Sequence, residues 1–372
     1  MSVNAMTVSA GEALEVLRAG WQAQSEGQML ASYMMHGRPG VGKTQIVAQL
    51  AQEKGALLFD LRLTTIEPHD LRGLPYYDHD TQKTRWYRPE DLPDDPAHPA
   101  ILFLDELTAA SPMLQPTVYG LLQERRVGRH RLPGNVFVVA AGNTVEDGAI
   151  AYQMNTALSD RLIHLHVQAA ATDWLDSYAV PRGLHPAVIA FIKTRADLLD
   201  TTERALAEGM LIATTPRSWE RVSQIMRAVP DRRIRNVLIA GTLGEAVAAE
   251  FAMIADDIAA TVQVHDMLEA DRKTRIGLYP ASMHGLNALI YGLIGVLDGR
   301  NVEGVIDVMA DIRILSHQRE EPEFKRMPLG ELTTYGFEGL IRKGLDLGLG
   351  ERFLSHDAYK TYAKERQEAG LA

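Results

Sequence analysis

"HGRPGVGKTQ", residues 36–45, decides how the rest of the chain is read. It fits Gly-x4-Gly-Lys-Thr, with Gly37, Gly42, Lys43 and Thr44 in place. Glycines at 37, 40 and 42 carry no Cβ, so backbone N–H groups can close around phosphate oxygens. "SYMMH" (32–36) enters the loop as a short buried strand. "TQIVAQLAQEKG" (44–55) leaves it as a helix, with Ile46, Val47, Leu50 and Ala51 on one face and Gly55 as its stop. The start of that helix aims its positive dipole end at the same anion. In this pattern Lys43 reaches the β- and γ-phosphates, and the Thr44 hydroxyl sits on Mg2+.

Working outward, "ALLFDLRL" (56–63), "AILFLDE" (100–106), "NVFVVAAGN" (135–143) and "RLIHLHV" (161–167) read as further strands. Strands alternating with helices imply a mostly parallel sheet with helices on both faces. A helix between Ser111 and Arg126 starts at Ser111-Pro112, with Pro116 and Gly120 making its first turns irregular. Four apolar residues place Asp105 at the carboxyl end of a buried strand, where such sheets keep their ligands. Asp105 can hold Mg2+ through water. Glu106 can accept a proton from the attacking water or orient it, which favours hydrolysis over transfer to a small alcohol.

After Gln168 the strands stop. "HPAVIAFIKTRADLL" (185–199) and "PRSWERVSQIMRAV" (216–229) read as helices, the second with Pro216 placed for a first turn. A long helical tract from Arg233 is interrupted near Gly241. Helical patterns continue beyond Asp257, with turns at residues 299–301 and 348–350.

The 372 residues are 46% hydrophobic and 23% charged, ordinary for a globular chain of two or three domains. Without cysteine, disulfides, thiolate metal sites and a Cys nucleophile are excluded. A net charge of −10 argues against a nucleic-acid partner. No signal-peptide pattern opens the chain, and the most apolar late stretch, Leu286 to Leu297, is too short to span a bilayer and reads as a buried helix. These features point to a cytoplasmic protein without a membrane span.

Together "GRPGVGKT", "ILFLDEL", "AAGN" and a later Asp-Arg resemble the AAA+ ATPases, and more narrowly the MoxR-type branch. The resemblance covers residues 28 to 228. "EPHDLRGLP", "LLQERRVG", "EDGAIAYQMNTALSDRL" and "TTPRSW" support the narrower name. It implies an α/β P-loop AAA+ core with a parallel five-stranded sheet of order 5-1-4-3-2, an α-helical lid and a helical C-terminal extension. The corresponding domains are an N-terminal helical segment (1–27), the core (28–168), the lid (169–257) and the extension (258–372). It further implies that Gly37, Pro39, Gly40, Val41, Gly42, Lys43, Thr44, Gln45 and Asp105 bind ATP, with Thr44 and Asp105 toward Mg2+. Glu106 is then the catalytic carboxylate and Asn143 corresponds to sensor 1. Arg161 corresponds to the arginine finger, which acts on ATP bound to the neighbouring subunit. Arg217 corresponds to sensor 2, which reaches from the lid to the γ-phosphate of its own subunit.

An arginine acting in trans implies head-to-tail assembly, which closes into a ring if the rotation closes, and the resemblance implies a homo-oligomeric ring, a hexamer. The implied function is ATP-driven remodelling or activation of a client protein, chaperone-like, alongside a separate von Willebrand factor A domain protein. Two alternatives stay open: a nucleotide-gated scaffold with little turnover, and a DNA-directed motor of a phage or mobile element. Leu162 departs from the usual Phe after Arg161, and "RRVGRHRLPGN" (125–135) is shorter than the expected hairpin. Its Arg125, Arg126, Arg129, His130 and Arg131 read as a solvated basic cluster, or as a contact for an acidic partner, a neighbouring subunit or a nucleic-acid backbone. His164 and His166 share one side of a strand and read as a core or interface pair rather than a metal site. "RWYRPEDLP" (85–93) reads as a packed surface loop.

Overall fold

The computed structural model describes residues 4–144, 159–261 and 264–368. They group into two compact units: Met1–Asp173 with Asp200–Arg217, and Trp174–Leu199 with Ser218–Ala372. Neither the boundary read at residue 27 nor that at 257 coincides with an edge of these units.

The first unit is built on a parallel sheet. Its strands are β1 (Thr7–Val8), β2 (Ser32–His36), β3 (Leu57–Arg62), β6 (Ala100–Asp105), β9 (Val136–Gly142) and β10 (Leu162–Val167), in the order β1-β10-β2-β9-β6-β3. The last five follow the expected order 5-1-4-3-2. The sixth strand corrects the five-stranded expectation: Thr7 and Val8 pair in parallel with His166 and Val167. Two residues of strand carry too little periodicity to be seen in sequence.

The central strands β2 and β9 are buried along their whole length. Alternate residues serve two cores, as the twofold period of a strand requires. Met34, Leu102, Leu104, Val138 and Ala140 pack on one face with Leu114, Val118, Leu121 and Leu122. Tyr33, Met35, Ile101, Phe103, Phe137 and Val139 pack on the other, under helices α1 (Ala10–Ser25) and α2 (Lys43–Lys54). Helix α1 starts at a capping box in which the Ser9 hydroxyl accepts from Glu12 N (3.1 Å) and Ser9 N donates to Glu12 Oε2 (2.7 Å). It buries Ala13, Leu14, Leu17 and Gly20 along one stripe. A Cβ on Gly20 would lie 2.0 Å from Tyr33 Oη, so this glycine lets the helix approach the sheet. Residues 7–25 are thus part of the sheet domain's core.

Two hairpins decorate this unit. β4 (Pro75–Asp78) pairs with β5 (Lys83–Trp86), so Arg85 and Trp86 of the stretch read as a surface loop are strand, with Tyr76 stacked on Tyr87 at 4.3 Å. β7 (Arg126–Val127) pairs with β8 (His130–Arg131) across a two-residue turn. Arg125 does not belong to that exposed basic cluster. Its guanidinium turns inward to the backbone oxygens of Ala31 and Val136, and burial pushes its pKa down to about 10. The helix read from Ser111 reduces to Gln115–Tyr119 followed by a wider π turn over Gly120–Glu124.

The second unit is helical. Met283–Val296 is buried through Gly285–Ile294, as expected for the stretch at 286–297. No helix among the described residues is long and apolar enough to cross a membrane. Phe191, Trp219 and Phe251 meet with ring centroids 5.2–5.6 Å apart. The break in the long tract falls at Gly244, where φ is 83°, rather than at Gly241. Asp311 is buried and neutralised by Arg275, with the guanidinium 2.6 Å from its carboxylate.

His185 caps the helix Pro186–Thr194: its Nδ1 accepts from Ala187 N (3.2 Å), and its own N–H donates to Ser223 Oγ (2.8 Å). Accepting at Nδ1 requires the neutral ring. Burial, aided by Arg227 and Arg235, lowers its pKa to about 4. Below pH 6.5 the unfolded chain therefore binds the extra proton and the folded chain does not. Stability should fall by up to about 3 kcal/mol as pH drops from 6.5 to 4. Urea titrations at stepped pH check this, and His185→Gln should flatten that part of the profile.

Candidate active site

Parallel register brings one end of every core strand to the same level. His36 is level with Gly142 and His166, Leu104 with Ala140, and Arg62 with Asp105. The loop after β2, the end of β6 and the residue after β9 therefore open onto one rim. This rim carries the phosphate-loop pattern, Asp105, Glu106 and Asn143.

The loop is held in conformations that only glycine adopts cheaply: φ is 154° at Gly37, 87° at Gly40 and 103° at Gly42. Gly37 N donates to Gly142 O at 3.3 Å. Pro39 is exposed and Val41 buried. Gly42 is the N-cap of α2 and supplies no side chain to its first-turn N–H groups, and a Cβ there would meet nothing within 4 Å. Lys43, Thr44 and Gln45 form that first turn, Lys43 buried and the other two half-buried. An uncapped helix start behind an open glycine loop is a cradle for an anion. Lys43 Nζ donates to the carbonyls of Gly37 and Arg38 (3.0 Å to the latter) and to Asn143 Oδ1 at 3.1 Å. Its charge is thus surrounded by oxygens, the same donors' geometry that phosphate oxygens would satisfy.

Asp105 Oδ1 accepts from Glu106 N at 2.8 Å. Glu106 stands at φ 58°, left-handed backbone that costs a non-glycine residue about 1–2 kcal/mol. Strained backbone at this rim aims the carboxylate along β3, where Thr64 Oγ1 donates to Glu106 Oε2 and Arg62 Nε stands 3.8 Å from Oε1. Burial and the Asp105 charge raise the pKa of Asp60, while Arg62 opposes them. A divalent cation beside Asp105 would relieve that repulsion. Among the described residues no three His, Asp or Glu side chains cluster as metal ligands. Asn143 is anchored from behind, its carbonyl accepting from Thr108 Oγ1 at 2.9 Å.

The segment 200–217 lies against this loop within the same unit. Thr201 and Thr214 clasp its two ends: Thr201 N donates to Thr214 O (3.0 Å), and Thr214 N to Thr201 Oγ1 (2.9 Å). Arg38 Nη2 meets Glu203 Oε2 at 3.1 Å. A Cβ on Gly40 would come within 2.9 Å of Thr215 Oγ1, two residues before the exposed Arg217. Arg161 is placed elsewhere. It is exposed and immediately precedes Leu162, which pairs with Ser32 at the opposite end of the sheet. Most of the stretch "EDGAIAYQMNTALSDRL", residues 146–158, lies outside the described residues.

Residues 32–164 match the family described as "ATPase family associated with various cellular activities (AAA)". The chain carries an AAA ATPase domain. It is therefore an ATP-hydrolysing P-loop enzyme, and the cradle just described belongs to a nucleotide-binding domain. No curated protein matches the chain. Among solved structures, a point mutant of RuvB from Thermotoga maritima is 15% identical, covering 77% of this chain and 83% of its own, at a TM-score of 0.39. A candidate ATPase from Cytophaga hutchinsonii is also 15% identical, covering 87% of this chain and 88% of its own, at a TM-score of 0.34. Likenesses this distant add nothing to the family match.

Sequence reading of the AAA domain missed Thr64, Arg62 and Thr215. The first two were within reach: once β3 is placed beside β6, its end must flank Asp105. Thr215 was not, because nothing local says that a segment 175 residues downstream returns to Gly40.

Gly40→Ala should destabilise the first unit by about 1–2 kcal/mol, from the left-handed backbone and the tight Thr215 contact. Differential scanning calorimetry should show a lowered transition for the first unit, while Gly241→Ala, in open space inside a helix of the second unit, should leave that transition in place.

Proposed function

We propose that the chain is a MoxR-type AAA+ ATPase, assembled as a homo-oligomeric ring, most simply a hexamer, that uses ATP hydrolysis to remodel or activate a partner protein. In this reading the backbone N–H groups of residues 37–45 and Lys43 bind the triphosphate. Thr44 and Asp105 hold Mg2+, which supplies charge neutralisation on the β- and γ-phosphates when bound. Glu106 takes the proton of the attacking water and Asn143 orients that water. Arg217 reads the γ-phosphate of its own subunit from the helical lid. Client proteins and a separate von Willebrand factor A domain protein are the proposed partners.

The observation that carries the reading is the placement of Arg161. Counting along the β2–β10 ladder, it stands six residues before the level of Gly37, about 20 Å at the rise of a strand. That exceeds the length of an arginine side chain, so Arg161 cannot serve the phosphate loop of its own chain. An arginine needed for hydrolysis would have to be given to an adjacent copy, where its charge stabilises the phosphoryl group being transferred. Head-to-tail contacts of this kind close into a ring when the rotation between copies closes.

Arg161→Ala should lower turnover about a thousandfold at unchanged assembly and unchanged ATP affinity. Glu106→Gln should lower it at least about a hundredfold while still binding ATP. Steady-state ATPase assays, with assembly checked by sedimentation, test both. Wild-type turnover in the assembled Arg161→Ala protein would remove the trans mechanism.

A further inference from the structure

A hydrogen-bonded histidine pair links the phosphate-loop strand to the turn that carries Arg161. His36 ends β2 and is joined directly to Gly37. His164 lies on β10, three residues after Arg161. Their rings lie edge to edge and nearly coplanar, with centroids 5.0 Å apart and planes 15° apart, and His36 Nε2 lies 2.8 Å from His164 Nδ1. The other nitrogen of His164, Nε2, lies 2.9 Å from the carbonyl oxygen of Ser159 and 3.2 Å from its hydroxyl. A carbonyl only accepts, so His164 Nε2 carries the hydrogen and donates. In the neutral ring Nδ1 is then the acceptor, and the His36 Nε2–H donates to it. His36 is buried, and both His36 and His164 sit on strands locked by ladder pairing. The chain of contacts therefore runs from the residue before Gly37, through two rings, to the backbone two residues before Arg161.

None of these groups belongs to the proposed nucleotide site, and a purely apolar pair would fill the same space with less demand on geometry. A polar link here has a different consequence. Phosphate bound in the loop would act on Gly37, which is joined directly to His36. The two hydrogen-bonded contacts beyond it would carry a change in His36 to Ser159, two residues before Arg161. We propose that His36 and His164 are positioning residues: they set the reach of the arginine that each subunit gives to its neighbour according to the state of its own phosphate loop. The proposal rests on the trans reading of Arg161 and supplies its regulation.

If so, His164→Ala damages the neighbouring site rather than its own. The pure variant should lose about 10- to 100-fold in kcat, the cost of misplacing a catalytic group by about an ångström, with KM for ATP unchanged. Mixed assemblies of His164→Ala and Glu106→Gln subunits should then hydrolyse ATP faster than either parent. The first brings an intact Glu106, and the second an intact His164 and Arg161. Mixtures of Arg161→Ala with Glu106→Gln calibrate the trans effect. His164→Phe keeps an aromatic ring at this position without either hydrogen bond, so it repeats the test should the alanine variant fold poorly.

If the arginine mixture complements and neither His164 mixture does, the relay is wrong and the trans reading stands. If the arginine mixture also fails to complement, the trans reading falls and takes the relay with it. A raised KM with unchanged kcat in the His164 variants would place the pair in its own subunit's nucleotide affinity and overturn the proposal.

Discussion

The register of the parallel ladder is the constraint on which everything else in the first unit depends. Because β10, β2, β9, β6 and β3 run the same way and pair level by level, Gly37, Asn143, Asp105 and Thr64 emerge at one rim although they are spread over more than a hundred residues. The same register sends Arg161 to the far end. A slip of one residue in any strand would turn its apolar residues from one core to the other, and the alternating clusters on the two faces of the sheet forbid it.

On that rim, strain and charge are concentrated together. Gly37, Gly40, Gly42 and Glu106 occupy positive φ, and Lys43 is enclosed by two carbonyls and the Asn143 amide. Hydrogen bonds to a buried ammonium are worth having only if every donor finds an oxygen. Asn143 supplies one of those oxygens, which connects the end of β9 to the loop before any phosphate arrives. Glu106 is drawn to Thr64 and Arg62 instead, so its carboxylate is paired at the end of β3 and the turn that follows it. Under the proposed mechanism, releasing it from these partners is part of making a competent base.

Much of this was legible in the chain itself. The phosphate loop, the five core strands and the buried helix at 286–297 follow from glycine spacing and apolar runs, and the strand order from the resemblance to the AAA+ ATPases. What was not legible depends on contacts distant in sequence. Thr7 and Val8 are a strand only because β10 offers its edge. Arg125 looks like one more cation in a basic run, yet two backbone oxygens from distant strands draw it inside. The place of the segment 200–217 beside Gly40 comes from Thr201, Thr214 and Glu203 acting together, through contacts that no local pattern announces. His164 was visible as half of a pair with His166, whereas its partner in the fold is His36, on the neighbouring strand.

The central claim is that one copy of the chain cannot complete its own hydrolytic site. The most direct test is turnover per subunit measured across protein concentrations that span the assembly transition, with saturating ATP and Mg2+. The account predicts that turnover per subunit rises steeply as the protein assembles and is negligible for the isolated copy. Equal turnover per subunit in the dissociated and assembled protein would contradict it.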